Sequence, residues 1–168
     1  MGLGILQYSQ DYDEKLPHYN YGADGGFWPI HIQPYVKNHQ IFRCPSAPQA
    51  TGQASVPDNL FNTTYGFPGI GGNSLYSLGG TSLTTIKETA RTWMIVETLY
   101  QPFWNTGADR GYGIAYIQLA SVATGGKPED DTTLNHDYHL GGSNVLFADG
   151  HVKWLSNEAL HMPNMWKL

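Results

Sequence analysis

The sequence contains little cysteine and little charge. Cys44 is the single cysteine in 168 residues, so no disulfide can form within the chain, and stability must come from packing or from a metal. Charged residues make up 14% of the chain, whereas an ordinary soluble domain has roughly 25%. Hydrophobic residues nevertheless make up 40% and aromatic residues 13%, which excludes disorder driven by charge.

Basic residues and long apolar runs are also scarce. Nine Lys and Arg stand against 14 Asp and Glu, for a net charge of −5, which argues against a nucleic-acid partner because phosphate binding needs a concentrated basic surface. No apolar run approaches the roughly 18 residues that a membrane span needs. The first residues also lack the basic region of a signal peptide.

Length and composition favour one ordered, loop-rich domain. A chain of 168 residues corresponds to a single domain over 1–168. The 20 glycines and 10 prolines are too many for a helical bundle but fall short of the roughly 25–30% typical of low complexity. We therefore expect substantial β structure beside few helices.

The first residues carry a helical pattern. Apolar residues recur at helical spacing from Met1 to Tyr12, and Pro17 ends the pattern, which predicts the end of an N-terminal helix over residues 1–16. The helical spacing of apolar residues begins at Met1 itself, and no capping residue precedes it. We therefore expect an upstream portion of the same helix, with an ordinary short N-terminal helix as the alternative.

Four further segments have readable patterns. Phe27 to Lys37 alternates aromatic and aliphatic residues around two prolines, which predicts a short, bent helix. Arg43 to Lys87 is nearly free of charge and predicts loops and short strands. Thr92 to Thr98 is a β-rich apolar run typical of a buried strand, and Gly113 to Val122 alternates like a second strand.

The strongest local signal is the segment NVLFADGHVKWL. Asp149 and Gly150 predict a type I′ turn, in which both residues have positive φ, and alternating apolar residues flank them. We therefore expect a C-terminal β-hairpin over residues 144–155. Counting outward from this turn places four apolar residues on one buried face: Val145, Phe147, Val152 and Trp154.

Motifs of catalysis are missing from the sequence. It contains no G-x-S-x-G elbow, no H-E-x-x-H, no P-loop and no dinucleotide-binding glycine motif. Cys44 is interpreted as a small buried apolar residue. A transition-metal site is an alternative, with Asp137 or Asp149 and three histidines as its ligands. The histidines are His136, His139 and His151.

Two binding modes remain open. An acidic loop could hold calcium, which prefers several oxygen ligands, or could simply be solvated; its residues are Glu129, Asp130, Asp131 and Asp137. The five tryptophans and eleven tyrosines could stack on sugar rings, although core and interface positions are the simpler interpretation.

Several stretches resemble a family of bacterial proteins. The tail HLGGSNVLFADGHVKWL, with His139 followed after nine residues by Asp149-Gly150, resembles the His-x9-Asp-Gly signature of prepilin-like (pseudopilin-like) proteins. Further stretches agree in order and spacing: LQYSQDYDEKLP, QPYVKNHQIFRCPSAP, TTYGFPG and ETARTWMIVET. The resemblance covers most of the chain and thins between Leu99 and Thr133.

The resemblance implies an α+β, pilin-like fold with an N-terminal helix end packed on a small antiparallel sheet. Family members usually carry a leader and a long apolar helix, which would be the membrane anchor and filament core and which is absent from this sequence. The related type II secretion major pseudopilins bind calcium in an acidic loop near the C-terminus, which by analogy implies the Glu129–Asp137 loop. The signature residues His139, Asp149 and Gly150 are expected to be structural, and the resemblance implies no catalytic role.

The leading hypothesis is therefore a non-enzymatic, self-associating subunit of an extracellular or cell-surface filament, or of a secretion pseudopilus. Its partners would be copies of itself and secretion or pilus assembly machinery. A surface glycan-binding module that uses the Trp/Tyr-rich loops is the alternative. A metal-dependent hydrolase around His136, His139 and Asp137 is a more remote one.

Overall fold

The computed structural model describes residues 1–18, 28–46, 63–68, 79–97, 116–117 and 139–160. These residues form a mixed α+β fold. The helices are α1 (Gly2–Asp11), α2 (Trp28–Val36) and α3 (Asn157–Leu160), with 3-10 turns η1 (Gln40–Phe42) and η2 (Leu83–Thr85). The strands are β1 (Tyr65–Pro68), β2 (Trp93–Glu97), β3 (Tyr116–Ile117), β4 (Gly142–Phe147) and β5 (Val152–Ser156).

The five strands form one sheet in the order β3-β1-β2-β4-β5. The pairs β1–β2, β2–β4 and β4–β5 are antiparallel, whereas β3 runs parallel to β1. The predicted strand at Thr92 to Thr98 is confirmed as β2, and all five of its residues are buried. Of the strand predicted at Gly113 to Val122, only β3 lies within the described residues.

Helix α1 is shorter than the expected helix over residues 1–16. It ends at Asp11 because Asp13 and Glu14 adopt left-handed conformations, with φ of 54° and 59°. The amide of Glu14 turns back to donate to the carbonyl of Ser9 at 2.8 Å. The chain then continues in extended form, and the amide of Leu16 donates to the carbonyl of Thr81 at 2.9 Å.

Helix α2 lies where the Phe27 to Lys37 pattern predicts a helix. Pro34 lies inside it rather than at its end, and the helix continues to Val36. Aromatic side chains connect the first two helices, since the Tyr8 and Tyr35 rings meet edge to face with centroids 6.2 Å apart. The Tyr35 hydroxyl also donates to Asp11 at 2.8 Å.

The C-terminal hairpin is present, but the predicted turn type is wrong. Gly150 is left-handed (φ 92°) and Asp149 is not, so the loop is not a type I′ turn. The Phe147 amide donates to the His151 carbonyl at 2.9 Å, which leaves a three-residue loop over 148–150. The extra loop residue shifts the register by one position, so Leu146 lies opposite Val152 and Val145 lies opposite Lys153.

This register shift corrects the predicted core. Val145 and Phe147 are buried as expected. Val152 and Trp154, however, are 63% and 47% exposed, because they share the opposite face with Leu146 at the outer edge of the sheet. The hairpin therefore adds an exposed apolar edge.

The sheet is covered on both faces. One face packs against α1, α2 and η1, with Ile5, Trp28, Phe42 and Ile95 among the buried residues. On the other face Trp93, Val145 and Phe147 pack with Leu155 and with Leu160 of α3. Among the described helices, none has the length and apolar character that a membrane span requires.

Candidate functional site

Three side chains with metal-binding chemistry meet on one side of the sheet. Cys44 follows η1, Glu97 is the last residue of β2, and His139 precedes β4. Their donor atoms all lie within 4.8 Å of one another. We call this group the Cys-Glu-His cluster.

The cluster is centred on one nitrogen of the imidazole ring. His139 Nε2 lies 2.7 Å from Glu97 Oε1 and 3.4 Å from Cys44 Sγ. In a nucleophilic Cys-His-carboxylate triad, the thiol and the carboxylate contact the two different ring nitrogens, so that the ring relays a proton between them. Here both contacts use Nε2, which is the arrangement of three converging ligands rather than of a relay.

Glu97 is the most deeply buried member, with 1% of the residue exposed. Its Oε1 faces His139, while its Oε2 accepts the backbone N–H of Asn144 at 2.9 Å. A buried carboxylate is costly unless it is hydrogen-bonded and balanced in charge. The backbone of β4 therefore fixes one oxygen and leaves the other directed into the cluster.

The other two members are also held by neighbours. The backbone N–H of Cys44 donates to Thr64 Oγ1 at 2.7 Å, and the indole N–H of Trp154 donates to the His139 carbonyl at 3.0 Å. Cys44 is 4% exposed, and the His139 side chain is 27% exposed. The cluster is thus built into the fold and open to solvent through the imidazole.

Tyr65 borders the cluster. It lies opposite Glu97 in the β1–β2 register. Burial, with the nearby Cys44 and Glu97, raises the pKa of the Tyr65 phenol well above its usual range. The phenol therefore stays protonated at neutral pH beside the Cys44 side chain.

The structure separates the three residues of the sequence signature. His139 belongs to the cluster, whereas Asp149 and Gly150 form the hairpin loop. Asp149 Oδ1 lies 2.6 Å from His151 Nδ1, and the His151 ring stacks on Phe147 with centroids 4.2 Å apart. His151 is therefore engaged with the loop and is not a member of the cluster.

The predicted calcium ligands lie outside the described residues, so the calcium site stays a prediction. They are Glu129, Asp130, Asp131 and Asp137, and His136 also falls in this part of the chain. Within the described ranges, the one group of three or more potential ligands is the Cys-Glu-His cluster. Its sulfur and nitrogen donors are not those that calcium prefers.

The sequence points to two members of the cluster separately and does not point to Glu97. It favours Cys44 as a buried apolar residue, and it places His139 both in the signature and, with other partners, in an alternative transition-metal site. Cys44 is buried, as a small apolar residue would be, but its thiol has polar neighbours. His139 is part of the recognised signature. Glu97 is the charged residue at the end of the apolar strand β2. A carboxylate directly after four apolar residues was the sequence signal that could have identified it.

The aromatic residues divide between core and surface. Trp28 and Trp93 are each 1% exposed and cannot stack on a sugar. Trp154 is 47% exposed, while Trp104 and Trp166 lie outside the described residues. Glycan binding by the Trp/Tyr-rich loops therefore stays a prediction.

Comparison of the chain with protein-family models gives no match, and comparisons with curated proteins and with solved structures give none either.

Proposed function

We propose that the protein is a non-catalytic structural subunit that self-assembles into an extracellular or cell-surface filament or a secretion pseudopilus. The proposal starts from the prepilin-like motifs in the sequence. The observation that carries it is the apolar edge of the sheet at β5, which is exposed on the same face that carries the N-terminal helix.

The edge strand β5 carries exposed apolar side chains. Among the described strands, β5 lies at the edge of the sheet, and an edge strand presents its outer N–H and C=O groups for pairing. Val152 and Trp154 are 63% and 47% exposed. Leu140 directly follows His139, whose carbonyl accepts from the Trp154 indole, and is 98% exposed. We call Val152, Trp154 and Leu140 the β5 patch. Exposed apolar groups at a sheet edge are typical of a surface that another chain covers.

A second exposed apolar side chain lies on helix α1. Leu3 is 72% exposed, and we call its position the α1 surface. An open polymer needs two different surfaces that meet head to tail, whereas one self-complementary surface closes at a dimer. The proposed contact is therefore between the β5 patch of one copy and the α1 surface of the next.

The composition is compatible with such contacts. Only 14% of the residues are charged, so neighbouring copies experience little like-charge repulsion when apolar surfaces meet. Lys153 lies between Val152 and Trp154, and its side chain is directed to the other face of the strand. Charge therefore does not interrupt the β5 patch.

The test measures assembly of the purified protein by sedimentation velocity over a concentration series and by electron microscopy of the most concentrated sample. We expect species that grow with concentration into filaments. Val152→Lys and Leu3→Lys should each abolish growth, because each introduces a charge into one of the two contacting surfaces. Glu88→Gln, at an exposed site outside both surfaces, changes the net charge by the same amount and should assemble normally.

Two results would contradict the proposal. A protein that stays monomeric up to its solubility limit, with any native upstream helix present, is not a self-assembling subunit. Growth that stops at a dimer and responds to Val152→Lys but not to Leu3→Lys would indicate closed pairing of two β5 edges instead of a filament.

A further inference from the structure

The Cys-Glu-His cluster has no role in the proposed assembly, yet it is the most specific chemical arrangement among the described residues. Three segments that are distant in sequence supply one sulfur, one oxygen and one nitrogen donor to the same small volume. Each donor residue is held by a hydrogen bond with a further residue: the Cys44 amide donates to Thr64, the Glu97 carboxylate accepts from Asn144, and the His139 carbonyl accepts from Trp154. The bond to the Glu97 carboxylate is the kind of outer support that is typical of metal sites. The other two bonds hold the backbone of the residues that carry the sulfur and the imidazole.

The two distances to the imidazole nitrogen are close to those around a tetrahedral ion. Zinc bonds of about 2.0 to 2.3 Å place the ligand atoms of a tetrahedron about 3.3 to 3.6 Å apart. Cys44 Sγ and His139 Nε2 are 3.4 Å apart, which already satisfies this requirement. Glu97 Oε1 and His139 Nε2 are 2.7 Å apart and would separate by about 0.6 Å as two metal bonds replace their hydrogen bond.

The charges also fit a divalent cation. Among the described residues, the ion-pair partner of the buried Glu97 carboxylate is His139, and no lysine or arginine forms one with it. A bound thiolate and carboxylate together carry two negative charges, which one divalent ion balances. The thiol proton of Cys44 is released to solvent on binding, and no redox change is involved.

The donor set selects the class of metal. A thiolate with an imidazole suits zinc and related transition metals, whereas calcium and magnesium take oxygen ligands. Three protein ligands leave a fourth tetrahedral position for water, which can reach the cluster on the side where the His139 ring is partly exposed.

From this geometry we infer a binding site for one zinc-class divalent metal ion, with Cys44 Sγ, Glu97 Oε1 and His139 Nε2 as its ligands. The ion links the segment after η1 to the end of β2 and to the start of β4. It therefore takes the structural role that a disulfide cannot take in a chain with a single cysteine. This inference does not depend on filament assembly.

The first test uses the unmodified protein after dialysis against a chelator. Cobalt(II) is added as a spectroscopic substitute for zinc, at protein concentrations where the chain is monomeric. We expect thiolate-to-cobalt charge-transfer absorption in the near ultraviolet and the intense visible bands of tetrahedral cobalt. Because Cys44 is the single cysteine, this absorption identifies the ligand without any substitution. One equivalent of zinc should remove both signals.

The second test uses matched variants and a zinc titration against a chromophoric chelator. Cys44→Ser, Glu97→Gln and His139→Gln should each weaken zinc binding by about 100-fold or more, since removal of outer-shell partners alone costs about 10- to 100-fold. His151→Gln is the control, because His151 also contacts a carboxylate at 2.6 Å but lies outside the cluster. Its zinc affinity should equal that of the parent.

Three results would overturn the inference. The first is cobalt binding by the unmodified protein without charge-transfer absorption, and the second is no binding at all. The third is parent-like zinc affinity in Glu97→Gln and His139→Gln variants that circular dichroism shows to be folded. Since the cobalt spectrum is measured on the unmodified chain, a variant that fails to fold does not prevent a decision.

Discussion

His139 and Glu97 are 42 residues apart in sequence, and His139 Nε2 lies 2.7 Å from Glu97 Oε1. The contact joins the end of β2 to the segment that leads into β4. Glu97 also accepts the Asn144 amide at 2.9 Å, so one carboxylate satisfies polar groups from two parts of the chain. The pair therefore holds the end of β2 to the start of β4 without any bound ligand.

Replacement of Glu97 with alanine should lower the free energy of unfolding of the metal-free protein by about 1 to 3 kcal/mol. The substitution leaves the amide of Asn144 and the ring of His139 without their buried acceptor. Urea denaturation in the presence of a chelator measures the change. Glu88→Ala is the control, because Glu88 forms an exposed pair with Arg91 at 3.0 Å, and its loss should change stability by at most about 0.5 kcal/mol. Equal effects of the two substitutions would contradict a structural role for the buried pair.

Local patterns in the sequence located most of the described elements. Helical spacing identified α1, and the two prolines among the aromatic and aliphatic residues of Phe27 to Lys37 identified α2. The apolar run at Thr92 to Thr98 identified β2, because these signals depend on neighbouring residues. The helix end at Asp11 was not predicted. It depends on left-handed Asp13 and Glu14, a conformation that neither residue type demands.

The register of the C-terminal hairpin did not follow from such local patterns. Asp-Gly correctly marked the reversal of the chain, but two-residue and three-residue loops share this dipeptide. A difference of one loop residue transfers Val152 and Trp154 from the face of Val145 and Phe147 to the opposite face, where both are exposed at the edge of the sheet. The register therefore could not be fixed by the turn dipeptide alone.

The Cys-Glu-His cluster was not predicted from the sequence for a different reason. Cys44 and His139 are 95 residues apart, and no spacing rule connects them with Glu97. Only the register of the sheet and the position of η1 bring the three donors together. Each residue examined separately has an ordinary structural explanation.

The close packing at the start of β4 gives a second stability prediction. A Cβ atom on Gly142 would overlap the carbonyl oxygen of Leu155 and the ring of Trp154, so Gly142→Ala should lower the unfolding free energy by about 3 kcal/mol. Gly141 is the matched control. It has φ of 79° and open space around its Cα, and asparagine tolerates this conformation, so Gly141→Asn should cost less than about 1 kcal/mol. Thermal and urea denaturation of both variants check the difference, and a mild Gly142→Ala would contradict this packing.

The hairpin loop should contribute a pH-dependent stability. The backbone N–H of His151 is the main cause that lowers the pKa of Asp149 below its ordinary value of 3.8, and the His151 side chain adds to it. A carboxyl group with a lowered pKa in the folded state stabilises the fold above its ordinary pKa and loses this effect as the pH falls through the lowered value. Asp149→Ala should therefore be less stable than the parent near neutral pH, and the difference should shrink in acid. Unfolding curves at a series of pH values test this, and a difference that is constant with pH or grows in acid would contradict it.

Thr64 should control metal affinity without touching the metal. Its Oγ1 accepts the Cys44 amide at 2.7 Å, so Thr64→Val removes the bond that orients the cysteine while keeping the size of the side chain. We expect zinc affinity to fall about 10-fold, with the thiolate-to-cobalt absorption retained because all three ligands are still present. Thr92→Val is the control, since Thr92 is also buried and donates to the Glu88 carbonyl at 3.0 Å at the opposite end of β2. An equal loss of affinity in both variants would indicate general destabilisation, whereas an unchanged affinity in Thr64→Val would show that Cys44 is oriented without Thr64.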